Sequence, residues 1–498
     1  MSMLRENLNR RAKIVATLGL ASSEVETISE LILAGMNVAR VNMGHRSYQE
    51  NAQVISNIRV ASGLMGLEVA ILMDLQGPGI RVGKLTNGLS LKKGDICVIG
   101  LTDLQNDYPE YKDCFIPTTY EHLIDDCKDG ARILFDDGLI ITHAVERDRA
   151  VYKIKVIEGG TLKSNNRINL PDSRITAPSL TLKDRKNLMF GLEHDVDYIT
   201  LPFVRNKEDV LRLKELLQKH SEDISVVSKI ETPEALENIE EILNVTDVIM
   251  VARGDIGVEL DNQLAPDAQK SITSLCNNRG IPVITAAQIP EATIENPVPT
   301  KIEASDIVNA VWDGTDAVML SIETASGEHP VEAVRMTGKL ISKAEKTPKE
   351  NPSIDVIDLT NMNNATMITM IGASIIADKI DAKRILSVTN SGNSCLKMSR
   401  FRPKTSVLGI SKSLSVVRKM CLYWGVNPFY LDELDLFEGL DTRMDNEYDV
   451  DKKLEHYIIE KVKSACELES GDKIVITSGN GKFFVRGSSN SIRIEIII

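Results

Sequence analysis

The sequence predicts an α/β protein: a TIM (β/α)8 barrel with an inserted β-rich lid domain, followed by a smaller C-terminal α/β domain. Three observations predict this. Eight short apolar runs alternate with helical patterns through residue 346, a Gly-rich and strand-dense stretch interrupts them after the third run, and a Pro-, Asn- and Asp-rich segment at 347–363 precedes a further set of alternating elements.

The first three runs, Lys13–Leu18, Val38–Asn42 and Val69–Asp74, are continuously apolar enough to be strands covered on both faces, and Val25–Ala34 and Tyr48–Leu64 read as the helices between them. After Asp74 the pattern changes to turns and short strand-like pieces, Asp95–Gly100, Ala131–Phe135, Leu139–Val145 and Val151–Ile157, which predicts a lid insert over 78–177. Alternation returns with the strands Asp197–Pro202, Ser225–Ile230, Asp247–Val251, Pro282–Ala287 and Asp316–Leu320. Between them Asp209–His220, Pro233–Leu243, Asp267–Arg279 and Lys301–Trp312 are helical. Eight βα units place the barrel at 1–77 and 178–346, with an open doubly wound sheet as the alternative architecture. Residues 347–363 read as a linker, and 364–498 as a domain with strands at Arg384–Thr389, Ser406–Ile410, Asn427–Leu431 and Lys473–Thr477.

The composition narrows the partners. Of 498 residues 43% are apolar and 26% charged, enough for a sizeable core, and a net charge of −13 argues against nucleic acid or an anionic membrane. No run approaches the roughly 20 apolar residues of a membrane span, and the Arg-containing start lacks a signal-like apolar core, so a cytoplasmic protein is expected. Seven scattered cysteines without CxxC spacing predict neither a disulfide framework nor a zinc site.

In a barrel of this kind the reactive groups belong at the C-terminal strand ends, where the sequence places Arg40, Asn42, Asp74, Arg205, Lys229, Glu231, Arg253, Asp255, Gln288 and Glu323. Lys229 and Glu231 are two apart on a strand and so face the same way, either as a salt bridge closing the barrel mouth or as a working pair. Asp255, expected to end the next strand, favours the second reading. Two carboxylates offer hard oxygen ligands to a cation such as Mg²⁺ (or Mn²⁺), and a lysine beside them suits a phosphoryl group. Arg40 and Arg81 have the fork that grips phosphate or carboxylate oxygens. Gly77–Pro78–Gly79 lacks Walker spacing and reads as a hinge, while His45 is either a nucleotide contact or a solvated loop histidine. Ser391, Gly392, Asn393 and Ser394 follow a strand and precede a helix, as an anion site or an ordinary N-cap would.

The segments RAKIVATLG, GMNVARVNMGH, ILMDLQGPGIRVG, NLPDSRITAPSLTLKD, VSKIETPEALENIEEIL, DVIMVARGDIGVEL and DGTDAVMLSIETASGEHPVEAV, in this order, resemble the pyruvate kinase family, as do SVTNSGNSCLKMSRFRP, YWGVNPF and the closing SGNG and GSSNSIRI. The resemblance runs from Arg10 to the end. It implies a homotetrameric glycolytic enzyme that transfers phosphate from phosphoenolpyruvate to ADP, giving pyruvate and ATP with Mg²⁺ and usually K⁺. Lys229 matches the phosphoryl-binding lysine, Glu231 and Asp255 the divalent-metal ligands, Arg40 and Arg81 the phosphate-contacting arginines, and Asn42 and Asp74 ligands of K⁺. His45 and Arg81 fall at nucleotide positions. The backbone at Gly254 and a helix starting near Ser305 would serve the substrate carboxylate, and Ser391–Ser394 resembles the effector loop.

Departures from the family pattern are as informative. Gly44 stands where the family has a serine that helps bind K⁺, and Gly79 where it has Glu, or Lys in K⁺-independent members. Ala287 replaces a threonine implicated in protonating the enolate, Pro202 a serine, and Asn166 a nucleotide-contacting lysine. These changes predict altered K⁺ use and slowed turnover. The alternatives are an enzyme acting on another enolpyruvate or 2-oxo acid, or a regulatory, non-catalytic paralogue.

Overall fold

In the structure, a computed structural model, the described residues are 9–220, 224–260, 263–286, 300–347, 365–432, 454, 456–463, 468–479 and 489–498. Eight strands form a closed barrel: β1 (Lys13–Thr17), β2 (Val38–Asn42), β3 (Ala70–Asp74), β4 (Tyr198–Leu201), β5 (Ser225–Ile230), β6 (Val248–Val251), β7 (Val283–Ala286) and β8 (Ala317–Leu320), in the order β1–β8–β7–β6–β5–β4–β3–β2. The pairing is parallel, with Lys13 opposite Ala317, Thr17 opposite Arg40 and Lys229 opposite Met250. Strands β1, β3, β4, β6 and β8 are buried at every residue, which is why they read as continuous apolar runs rather than alternating ones. Helix boundaries follow local chemistry. Ser47 and Glu50 form a reciprocal capping box that starts Tyr48–Met65, and Thr300 and Glu303 do the same for Lys301–Asp313.

The excursion after β3 is β-rich, with a two-stranded antiparallel sheet (Leu89–Leu91 and Gly160–Leu162) and a six-stranded one. The larger sheet runs in the order Ile168–Asn169, Arg132–Phe135, Ile140–Asp148, Val151–Glu158, Ile96–Leu101, Phe115–Thr118. Its core gathers Ile99, Ile116, Ile133, Phe135 and Ile154, all fully buried. The C-terminal domain holds a five-stranded sheet ordered Val426–Tyr430, Val407–Ser411, Arg384–Val388, Lys473–Gly479, Ser489–Ile496, of which only the last strand pairs antiparallel.

Several local expectations are corrected. The single helix expected over Pro233–Leu243 is two, Pro233–Glu237 and Ile239–Leu243, separated at Asn238. The helix read at Lys301–Trp312 runs over Lys301–Asp313, capped by the Thr300 hydroxyl, so Ser305, named above as near its start, lies in its second turn. Sequence reading overlooked the strands Phe115–Thr118 and Ser489–Ile496 and the helices Leu182–Glu193 and Pro330–Lys346. No helix among the described residues is long and apolar enough to cross a membrane. The chain divides into two compact units, 1–73 with 193–199 and 273–498, and 74–192 with 200–272.

Candidate active site

The second unit holds most of the charged residues singled out above. Lys229 and Glu231, two apart at the end of β5, form an ion pair, with Glu231 only 1% exposed. The other oxygen of Glu231, Oε2, accepts a hydrogen bond from the Phe203 amide at 3.2 Å. Burial pushes the Glu231 carboxyl up; Lys229 opposes this, Asp255 adds to it, and Arg167 again pulls it down. Asp255 therefore lies near enough to act on the Glu231 carboxyl.

Asp255 does not end a strand. β6 stops at Val251, and Asp255 lies in the first turn of a short helix, Arg253–Glu259, one turn before Glu259. The RGD turn that reads as a strand end is therefore a helix start, and an added Cβ at Gly254 would meet no heavy atom within 4 Å. Asp255 is paired with Arg167, a residue of the β-rich excursion that sequence reasoning missed. Its guanidinium also stacks 5.1 Å from the Phe203 ring centre. Burial works against the charge of Arg167, but Asp255, Glu231 and Glu259 together hold its titration above the ordinary range. Glu259 is buried and accepts from Asn169 Nδ2 at 2.6 Å.

Arg81 sits in an isolated antiparallel bridge with Arg167, and its guanidinium donates to the Asn165 carbonyl at 3.0 Å. Asn166 is turned away to Asp136 Oδ1, at 2.6 Å. Asp74 is buried at the end of β3. Gly77 has φ +65°, and a Cβ there would come within 2.7 Å of Pro202 and 2.9 Å of Phe203, so this position requires glycine. Gly79 carries no such restriction: its Cβ would meet Arg81 Nε at an ordinary 3.5 Å. Arg205, also expected at a strand end, spends its fork on the buried Asp209 (3.0 and 3.1 Å) and on the Ile175 carbonyl, so it braces the fold.

In the first unit, Arg40 at the end of β2 donates to Thr17 Oγ1 at 3.0 Å, and Asn42 Oδ1 accepts from the Gly44 amide at 2.9 Å. His45 is exposed. Glu323 is buried in the short helix Ile322–Ala325 and accepts from the Ser321 amide at 2.7 Å. Ala287 and Gln288 lie outside the described residues. In the C-terminal domain Gly392 (φ +79°) donates to Thr389 Oγ1 at 3.0 Å, helix Asn393–Arg400 follows, and Ser394 and Ser489 hydroxyls meet at 2.8 Å. No group of three or more His, Cys, Asp or Glu placed to hold a metal occurs among the described residues. Two carboxylates nevertheless suffice for Mg²⁺, which binds one or two and fills its shell with water and phosphate oxygens.

A parallel barrel with Lys229 and Glu231 at one strand end and Asp255 in the helix after the next strand has the parts of a barrel phosphotransferase. The chain matches the family models "Pyruvate kinase, barrel domain" over residues 9–334 and "Pyruvate kinase, alpha/beta domain" over 368–495. It is 38% identical to the pyruvate kinase of Geobacillus stearothermophilus, over 98% of this chain and 81% of that protein. It is 36% identical to that of Staphylococcus saprophyticus and 35% to that of Bacillus licheniformis, each over 98% of this chain and 80% of the relative. The chain belongs to the pyruvate kinase family.

Proposed function

We propose that the chain catalyses phosphoryl transfer from phosphoenolpyruvate to ADP, giving pyruvate and ATP, with Lys229 as the group that meets the moving phosphoryl. The observation that carries this reading is the Lys229–Glu231 ion pair, with Glu231 buried and Asp255 acting on the same carboxyl. Lys229, drawn from Glu231, places its ammonium on a phosphoryl oxygen. Arg40 and Arg81 grip phosphate oxygens, the Gly254 amide meets the substrate carboxylate, and His45 and Arg81 contact the nucleotide. Glu231 and Asp255 would hold Mg²⁺ or Mn²⁺, a fit supported by two hard oxygen donors that are already matched to cationic side chains. When bound, such a cation neutralises charge on the transferring group. The enolate takes its proton from solvent, since Ala287 offers no hydroxyl. Losing such general-acid help costs about 10²–10⁴-fold, which slows turnover without abolishing it.

The monovalent site is weakened in this reading. Asn42 Oδ1 is engaged by the Gly44 amide, residue 44 supplies no hydroxyl, and Gly79 supplies neither a carboxylate nor an ammonium. Asp74 remains as a ligand for K⁺. The working protein is a cytoplasmic homotetramer with the lid at 78–177, the barrel at 1–77 and 178–346, a linker at 347–363, and a regulatory domain at 364–498 whose Ser391–Ser394 loop takes an anionic effector.

The test is ADP-dependent pyruvate formation from phosphoenolpyruvate with Mg²⁺, with and without K⁺, using Lys229→Met as the control for contaminating activity. A Lys229-dependent rate with a small K⁺ response is expected. No such rate, with metal and phosphoenolpyruvate still bound, would transfer the site to another 2-oxo acid or to a regulatory role.

A further inference from the structure

Arg167 occupies a place that the proposed chemistry leaves unexplained. Its backbone is fixed in the lid sheet: its carbonyl accepts from the Asp136 amide at 3.2 Å, and the next residue, Ile168, donates to Ile80 O at 2.9 Å and pairs with Phe135. From this post the side chain passes over Phe203, whose own amide is bonded to Glu231, and ends on the Asp255 carboxylate. A lid residue thus delivers a positive charge to the same two carboxylates that suit a divalent cation.

The surroundings give the guanidinium somewhere else to go. A cavity of about 230 Å³ opens beside it, lined by Arg167, Asn169, Phe203 and Glu259 among others. Glu259 follows Asp255 by four residues on the helix Arg253–Glu259, so the two carboxylates lie on one helical face. Glu259 already interacts electrostatically with Arg167, and Asn169 holds it in place. Asp255 and Glu259 both act on the one guanidinium, which contacts Asp255.

We propose that Arg167 is a built-in counter-cation that competes with the divalent metal for Asp255, and that it moves toward Glu259 when the metal binds. The inference rests on the reading that Glu231 and Asp255 hold the metal. Two cationic centres on one carboxylate repel each other at short range, so each must weaken the other's hold. The competition makes metal affinity depend on where the lid places Arg167, a linkage between lid position and metal loading. Without metal, Arg167 keeps the acidic pair neutralised.

The experiment titrates Mn²⁺ into the purified full chain without substrates and follows free Mn²⁺ by electron paramagnetic resonance. Arg167→Ala is expected to tighten Mn²⁺ binding by about tenfold, the equivalent of losing a partly buried ion pair. Arg167→Lys, which keeps the charge, should stay within about threefold of the native chain. Arg167→Gln preserves length and packing on Phe203 and should reproduce the tightening if the alanine variant disturbs the lid. Asp255→Asn identifies the site and should abolish this binding. If Asp255→Asn abolishes binding while both neutral variants leave it unchanged or weaker, the competition is wrong and the metal site stands. Binding indifferent to Asp255→Asn would overturn both.

Discussion

The Arg402–Asp316 pair of the first unit and the Lys229–Glu231 pair of the second each join a buried carboxylate to a partly buried cation at a barrel strand, yet they are held in different ways. Arg402 bonds Asp316 Oδ1 at 2.9 Å, Asn277 Oδ1 at 2.9 Å and the Gly314 carbonyl at 2.8 Å, and it stacks 4.6 Å from Trp424. Asp316 in turn accepts from the Val283 amide at 2.8 Å. That cluster ties loops together, because most of its bonds go to backbone or to fixed amides. Glu231 keeps one backbone bond, to Phe203, and otherwise faces charges: Lys229, Arg167 and Asp255. A buried pair whose partners are mainly other side-chain charges can exchange them for a ligand, whereas one woven into the backbone cannot do so without unfolding part of the chain.

The comparison breaks most visibly if the first pair is cut. Arg402→Ala leaves Asp316 buried and uncompensated and should cost about 3–5 kcal/mol of stability, seen as a lowered urea midpoint. A loss below about 1 kcal/mol would mean that this pair is as exchangeable as the other. Lys229→Met should act on the chemistry instead, lowering turnover by about 10²–10³-fold, with a smaller stability loss than Arg402→Ala because Arg167 still opposes the Glu231 charge. Retained turnover would remove Lys229 from the chemistry.

A third test uses a buried lysine in the structural unit. Lys13 is buried with Nζ bonded to the Val426 carbonyl at 2.6 Å, and burial, with Arg10 adding to it, pushes its ammonium down to about 8. Between about pH 8 and the unfolded value of 10.5 the unfolded chain binds more protons at this site, so stability should rise with pH there. Relative to Lys13→Met, the native chain should gain on the order of 2–3 kcal/mol across that window, measured by urea unfolding. Parallel curves would show that Lys13 titrates normally. The smallest effect concerns the monovalent site: Gly44→Ser with Gly79→Glu should raise the activation by K⁺ about fivefold, the equivalent of roughly 1 kcal/mol of added ligation. A Cβ at position 79 meets only an ordinary 3.5 Å contact, to Arg81 Nε.

Much of this was legible before any coordinates. Strands buried on both faces betray themselves as apolar runs, so the eight barrel strands emerged within a residue or two at most ends. Lys229 and Glu231 were readable as a pair because they are neighbours on one strand, and strand periodicity fixes their common direction. Two edge strands escaped: Phe115–Thr118, buried but only four residues long and containing a proline, and Ser489–Ile496, without a buried residue or an apolar run.

By itself the sequence determined the order of elements, the family and the residue types available for chemistry, because periodicity and local motifs are encoded between near neighbours. Only the tertiary structure decided who meets whom. Arg167 and Asp255 are 88 residues apart and Asn169 and Glu259 are 90 apart, and no local pattern pairs them. It also decided that Arg205 braces Asp209 and Ile175, and that Asp255 belongs to a helix start instead of a strand end. Charges find partners by distance in space, and that distance exists only after the lid and barrel segments have folded around them.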